Sequence, residues 1–377
     1  MSIAASVRQE LEKRGGEMVE MLRRLVEIES PSDDRAALDQ LAEALAAAFG
    51  PFGRLTVHEG PRGRNLALAV DNDGAASAHA VALCHYDTVW PRGTLQHMPF
   101  NVDANGVARG PGVFDMKAGI VVLYFALEAV RQRLRRPLKA LFTCDEEVGS
   151  PTSRPLIEEA ARGAAMAYVL ESPLPGGTLK TARKGTGDYR LRIQGRAAHA
   201  GVEPQKGISA THELAVQVLA LHALNDYAVG TTVNVGVVQG GTRPNVVAAS
   251  AEALVDVRVS TLAEAERIDG AIRALQPELS GAGLEISGGL NRPPMERSDA
   301  IAALFGEARR VAAAMAIELH EGSTGGGSDG NFTAAMGVPT LDGLGAEGEG
   351  AHAAHEHVLV ESLPRRAALL AGLLAEV

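Results

Sequence analysis

Short apolar runs bounded by turn residues recur through the first half of the chain, at residues 66–70, 80–84, 138–142 and 167–170. Each has the length and boundaries of a buried strand, and helical spacing fills the stretches between them, as in residues 119–133. Alternating strands and helices predict an α/β sheet with helices on its faces. The opening segment, residues 1–30, spaces Val7, Leu11, Met18, Met21, Leu22 and Leu25 at helical intervals among Glu and Arg. It reads as an amphipathic helix, not a signal peptide.

From about Lys184 the rhythm changes. Alternation at residues 188–194, a helix over 207–224, strands over 231–239 and 249–260, a helix over 262–275 and a short strand near 284–287 give the order βαββαβ. That order is ferredoxin-like. After Arg292-Pro293-Pro294 the helix and strand pattern resumes, so a small domain over residues 184–294 is predicted to interrupt a larger one made of 1–183 and 295–377. A length of 377 residues, long for one core, agrees with two domains.

Composition narrows the functional classes. Hydrophobic residues make up 46% and charged residues 22%, as in an ordinary soluble globular protein. A formal net charge of -10, with Lys and Arg scattered, argues against nucleic acid or an anionic membrane as the main partner. No apolar run approaches the roughly 20 residues needed to span a bilayer. The two cysteines, Cys84 and Cys144, end apolar runs and are expected to be reduced and buried, so a cytoplasmic location is expected.

Acidic and histidine residues gather where strands end. Ligands of such sheets bind beyond the carboxyl ends of strands, and His85, Asp87, Glu146, Glu147 and Glu171 all lie just past such ends. Neighbouring side chains in an extended strand face opposite ways, so Glu146 and Glu147 can serve two sub-sites, one gripping a cation and one handling a proton. In His85-Tyr86-Asp87 the acid two residues on suits the carboxylate that orients a metal-binding imidazole. Asp115 lies in the glycine-rich turn 110–119, where a helix N-cap is the plain alternative. A late loop carries His352, His355 and His357, and spacing alone does not say which of them would bind metal.

Taken in order, these segments resemble the co-catalytic dizinc aminoacylase and carboxypeptidase family, which includes glutamate carboxypeptidase, acetylornithine deacetylase and succinyl-diaminopimelate desuccinylase. The carriers are His85-Tyr86-Asp87-Thr88-Val89, residues 110–119, Asp145-Glu146-Glu147-Val148-Gly149, Glu171, Gly195-Arg196-Ala197-Ala198-His199-Ala200-Gly201, Gly325-Gly326-Gly327-Ser328-Asp329 and His352. The likeness covers nearly the whole chain and is greatest to the glutamate carboxypeptidase branch.

The resemblance implies an α/β catalytic domain with a mixed sheet and an inserted ferredoxin-like domain that serves as lid and dimerisation surface. It implies two Zn²⁺ per chain, with Co²⁺ or Mn²⁺ as substitutes, bridged by Asp115. His85 and Glu171 would complete one metal, Glu147 and His352 the other. Asp87 would orient His85, and Glu146 would act as general base toward a zinc-bridged hydroxide. His199 would stabilise the oxyanion in the partner subunit of a homodimer. Asn245, Arg258 and Arg292 resemble the family's substrate-side residues, and Gly326 and Gly327 would let backbone amides approach the substrate.

The expected reaction is hydrolysis of the amide bond of an N-acyl amino acid or small peptide, releasing a C-terminal amino acid. An N-acyl-amino-acid deacylase or dipeptidase is the alternative. A metal-bearing binding protein that hydrolyses nothing would have no need of Glu146 as a base, and a nucleotide binder would need a phosphate-cradling glycine pattern between strand and helix, which the chain lacks.

Overall fold

The computed structural model describes residues 2–72 and 78–377. Two compact units emerge: Met1–Ala182 with Arg297–Thr324 and Ser328–Val377, and Arg183–Glu296 with Gly325–Gly327. The glycine loop, expected with the larger domain, groups with the smaller unit. Arg183 explains this, since its Nη1 donates to the carbonyl oxygens of Gly326 at 3.1 Å and Gly327 at 3.0 Å.

The larger unit is built on a six-stranded mixed sheet in the order Arg54–Glu59, Arg64–Val70, Leu138–Thr143, Ala80–His85, Met166–Val169, Thr340–Leu341. The first three pair antiparallel, and from Leu138–Thr143 onward the strands run parallel. Strand Ala80–His85 is buried along its whole length. Ala80, Ala82 and Cys84 enter one core, Val81 and Leu83 the other, which is why the run reads as continuously apolar. Helix Ala118–Val130 is apolar nearly all round and correspondingly buried, whereas Arg154–Ala161 and Gly330–Ala335 pack on the opposite side of the sheet.

Three local expectations change. The opening segment is two helices, Ile3–Glu12 and Gly15–Glu27, with Met1 outside the described residues. The break falls where Gly15-Gly16 weakens helix propensity and the Lys13 N–H turns back to Glu10 and Leu11. Edge strand Arg54–Glu59 went unread because its Arg-Leu-Thr-Val-His-Glu sequence is largely exposed and held by backbone pairing. Helix Ala118–Val130 gives way at residues 131–133 to a single tighter turn.

The smaller unit runs Gly185–Gln194, Ala210–His222, Thr232–Gly240, Ser250–Val259, Leu262–Arg273, Gly283–Arg292, which is the βαββαβ order. Its strands lie Thr232–Gly240, Ser250–Val259, Gly185–Gln194, Gly283–Arg292 across an antiparallel sheet. Tyr189, Leu191 and Ile193 alternate into the core while Asp188, Arg190 and Arg192 face out. The last strand extends well beyond its expected residues because it pairs with Gly185–Gln194 along nearly its full length, and Gly288-Gly289 hid it from the apolar pattern. Helix Ala210–His222 starts later than Gly207 because Ser209 caps it, accepting from the His212 N–H at 3.2 Å. Both cysteines are free and buried, and no helix among the described residues is long and apolar enough to cross a membrane.

Close approach of a helix and a strand makes one glycine indispensable. A methyl group on Gly119 would collide with the Leu170 carbonyl oxygen, whereas one on Gly270, exposed in helix Leu262–Arg273, would meet nothing. Gly119→Ala should cost about 1–3 kcal/mol of stability in urea unfolding. Gly270→Ala should be neutral or stabilising by up to about 1 kcal/mol in the same measurement.

Candidate metal centre

The parallel strands bring the polar residues together. His85 pairs in register with Thr143 at the ends of adjacent strands, and Met166–Val169 lies on the other side of Ala80–His85. The loops that follow carry Asp87, then Glu146 and Glu147, then Glu171, to one rim. Asp115 arrives from the glycine turn. Gly112 has φ +70, and any side chain there would strike Thr88, so only glycine lets this turn lie against the strand end. Asp115 is not a helix cap: helix Ala118–Val130 begins beyond it, with Lys117 at the cap position.

One carboxylate stands between two imidazoles. Asp115 Oδ1 lies 3.1 Å from His85 Nε2, and Asp115 Oδ2 lies 3.3 Å from His352 Nε2. Glu171 Oε1 is 3.3 Å from His85 Nε2, and Glu147 Oε2 is 3.0 Å from His352 Nε2. Two triads result, His85–Asp115–Glu171 and Asp115–Glu147–His352, the ligand atoms of each within 4.8 Å of one another. Among the described residues neither triad includes Glu146, and neither includes His355 or His357. His357 sits instead on a short strand, Nδ1 against the His355 carbonyl oxygen at 2.9 Å.

Asp87 couples the imidazole to the glutamate loop. Fully buried, it faces His85 Nδ1 through its backbone oxygen at 3.1 Å and its Oδ1 at 3.4 Å. The same carboxylate accepts the N–H of Glu146 on Oδ1 and of Glu147 on Oδ2, both at 3.2 Å, and the Ser32 hydroxyl at 2.8 Å. With Nδ1 turned to Asp87, Nε2 is the nitrogen left for the Asp115 side.

Glu356 does the corresponding work for Asp115, and sequence reading missed it. It is completely buried. Oε1 accepts from the N–H of Phe114 at 2.9 Å and of Asp115 at 3.1 Å; Oε2 accepts from Gly112 N at 3.0 Å and Trp90 Nε1 at 2.7 Å. The turn that presents Asp115 is thus wrapped around one acid from the loop that presents His352. The only trace in the sequence is the spacing of Glu356 from His352. His352 itself has φ 63, a left-handed backbone costing a non-glycine residue about 1–2 kcal/mol.

The electrostatics favour a cation. Burial alone would push the His85 imidazolium down, yet the carboxylates of Asp115, Asp87 and Glu171 hold it well above its ordinary range. His352 is raised to about 10 by Asp115 and Glu147. Burial would raise Asp115, but the two imidazoles win and hold its carboxyl below the usual range. Burial pushes Glu147 up to about 7. Its Oε1 is buried with no hydrogen-bond partner, a costly condition for an acceptor. Imidazole nitrogens and carboxylate oxygens around a shared acid form the donor set of a dinuclear site for a borderline divalent metal, and the residues present fit it.

The other candidates lie in the smaller unit. His199 is exposed, and its Nδ1 accepts from Gly201 N at 3.2 Å. Its loop is joined to the Asn245 loop by a bridge between His199 and Val246 and a bond from Ala200 N to Asn245 O at 3.0 Å. Arg258 is engaged by Asp256, Nε to Oδ1 at 3.0 Å and an Nη to Oδ2 at 2.7 Å. Arg292 is buried at the end of strand Gly283–Arg292. Gly326 and Gly327 turn their carbonyl oxygens to Arg183.

A family model described as Peptidase family M20/M25/M40 matches residues 82–376, and the chain belongs to that family. It is accordingly an enzyme of the metallopeptidase and amidohydrolase class. Carboxypeptidase G2 of Pseudomonas sp. (strain RS-16) is 29% identical over 380 residues, covering 96% of this chain and 89% of the relative. The acetylornithine deacetylase of Erwinia tasmaniensis is 28% identical over 261 residues, covering 64% of this chain and 67% of the relative. Among solved structures, an aminopeptidase from Bacillus cereus superposes with a TM-score of 0.75 at 23% identity, covering 96% of this chain and 98% of that one. An M20 family metallo-carboxypeptidase from Sulfolobus solfataricus gives 0.73 at 16% identity over 95% and 98%. Both share the fold.

Glu356→Gln keeps the shape of the brace but aims an amide N–H at N–H donors. It should fold and bind divalent metal about 10–100-fold more weakly, measured by chelator competition. Unaltered affinity would show that the brace does not set the position of Asp115.

Proposed function

We propose that this protein is a dinuclear metallohydrolase that cleaves the amide bond of an N-acyl amino acid or small peptide and releases a C-terminal amino acid. The observation that carries the reading is the sharing of Asp115 between two triads that leave Glu146 out. His85, Asp115 and Glu171 would hold one Zn²⁺, and Asp115, Glu147 and His352 the other, with Co²⁺ or Mn²⁺ as substitutes. Metal held there supplies Lewis acidity, polarising a carbonyl and making water acidic enough to give up a proton near neutral pH.

The chain's own residues do the rest. Glu146, its backbone N–H pinned by Asp87, takes the proton from the attacking water and returns it to the leaving nitrogen. Asp87 keeps His85 turned, so the imidazole presents Nε2. We assign His199 to the oxyanion, acting in the partner chain of a homodimer formed through the smaller unit. Its Nδ1 accepts from Gly201, so a neutral ring carries its proton on Nε2 and can donate there.

For substrate recognition, Asn245 and Arg292 suit a carboxylate, and Gly326 and Gly327 would let backbone amides approach the substrate. Arg258 joins them only by exchanging its pair with Asp256. A carboxypeptidase reading is favoured because the carboxypeptidase relative matches across 96% of the chain. Deacetylase and desuccinylase relatives support acyl amino acids as the second class of substrate. The buried free thiols suit a reducing compartment such as the cytoplasm.

Hydrolysis of a panel of N-acyl amino acids and dipeptides by zinc-loaded protein, scored by released amino acid, tests the proposal. At least one member should be cut, and Glu146→Gln should lower kcat by at least about 10²–10⁴-fold while metal content stays near two per chain. Turnover retained in that variant would remove Glu146 from its role, and a panel left uncut with Zn²⁺, Co²⁺ and Mn²⁺ would contradict the hydrolase reading.

A further inference from the structure

The glycine-rich motif ends in Ser328-Asp329, and the function above uses its glycines but not its acid. Asp329 is buried, as are Thr143 and Ser150. Those two residues stand at the two ends of the loop that carries Glu146 and Glu147. Thr143 closes strand Leu138–Thr143, and Ser150 leads into helix Arg154–Ala161 through the bond from Arg154 N to Ser150 O at 3.1 Å. Asp329 touches both. Its Oδ2 accepts from Thr143 Oγ1 at 3.1 Å, and its Oδ1 accepts from Ser150 Oγ in a short hydrogen bond.

We infer that Asp329 is a positioning residue, clamping the neck of this loop and thereby setting where Glu146 and Glu147 stand. A carboxylate suits the task because it accepts from two hydroxyls at once on separate oxygens. Thr143 Oγ1 has one proton to give, and Asp329 is better placed for it than the Cys84 carbonyl at 3.4 Å. Ser150 has φ 57, a conformation that a side chain rarely adopts without a contact to hold it, and its hydroxyl on Asp329 is such a contact.

The clamp is itself anchored. Ser328 N donates to Asn331 Oδ1 at 2.9 Å, Ser328 Oγ donates to Asp342 Oδ2 at 2.6 Å, and Gly330 N donates to Ser328 Oγ at 3.1 Å. Inside the loop the Ser150 N–H reaches Asp145 O at 2.8 Å and the Gly149 N–H reaches Glu146 O at 2.9 Å. Fixing the neck therefore fixes the short turn on which both glutamates sit. Asp87 holds their N–H groups, and Asp329 holds the loop's base.

The inference rests on the reading of Glu147 as a metal ligand and Glu146 as a base, so its test reads zinc binding without substrate. Zn²⁺ affinity of the metal-stripped chain is measured by chelator competition for wild type, Thr143→Val, Thr143→Ser and Asp329→Ala. Thr143→Val removes the hydroxyl and Thr143→Ser keeps it. We expect Thr143→Val and Asp329→Ala to weaken one of the two zinc ions by about 10–100-fold and the other by less than about 3-fold, with Thr143→Ser close to wild type. On any substrate the wild type cuts, kcat should fall while KM moves less.

Val311→Ala, in the core of helix Asp299–Ala313, is the control for lost stability and should bind both ions as wild type does. Thr143→Val that binds both ions normally, Thr143→Ser that is as impaired as Thr143→Val, or Val311→Ala that loses the same ion would each overturn the clamp. Two tight zinc ions with no member of the panel hydrolysed would contradict the hydrolase reading alone and leave the clamp result legible.

Discussion

Everything at this site turns on one carboxylate being addressed from both sides. Asp115 gives Oδ1 to the His85 imidazole and Oδ2 to the His352 imidazole, and the two triads exist only because a single side chain belongs to both. Such sharing demands position to a fraction of an ångström. The fold supplies it through parallel strand ends for His85 and Glu171, and through a turn that glycine alone can make for Asp115. Glu356 then takes the three backbone N–H groups of that turn and the Trp90 indole N–H onto one buried acid.

The concentration of acids gives the site its chemistry. Asp87, Asp115, Glu146, Glu147 and Glu171 crowd two imidazoles in a largely buried setting, where like charges repel far more strongly than in water. Protons on the imidazoles relieve part of this, which is why His85 and His352 hold them so far above the ordinary range. Divalent cations would relieve it more completely. The arrangement is costly for folding alone and makes sense as a binding site. Within it adjacent residues part company: Glu147 joins a triad, and Glu146, anchored through the same Asp87, joins neither.

What the sequence made legible was local. Buried parallel strands announce themselves as unbroken apolar runs, and acids immediately after such runs mark the rim, so His85, Asp87, Glu147 and Glu171 could be read together. What it concealed was long-range. Glu356 acts on Asp115 from 241 residues away and Asp329 on Thr143 from 186, and neither distance leaves a pattern in a single chain. Arg258 shows the converse, since an arginine alternating with apolar residues in a strand proved to be held by Asp256, two positions before it. Strand Arg54–Glu59 stayed hidden because backbone pairing, not burial, keeps it in the sheet. The glycine loop 325–327 changed units because Arg183 holds its carbonyls, a contact that composition does not encode.

Asp115 should be shared by two metals. Crystals of zinc-loaded protein, measured by anomalous diffraction on either side of the zinc absorption edge, would test it directly. Two anomalous peaks per chain are expected, one at ligand distance from Asp115 Oδ1, His85 and Glu171, the other from Asp115 Oδ2, Glu147 and His352, with Glu146 bonded to neither. A single peak, or two peaks that do not share Asp115, would contradict it.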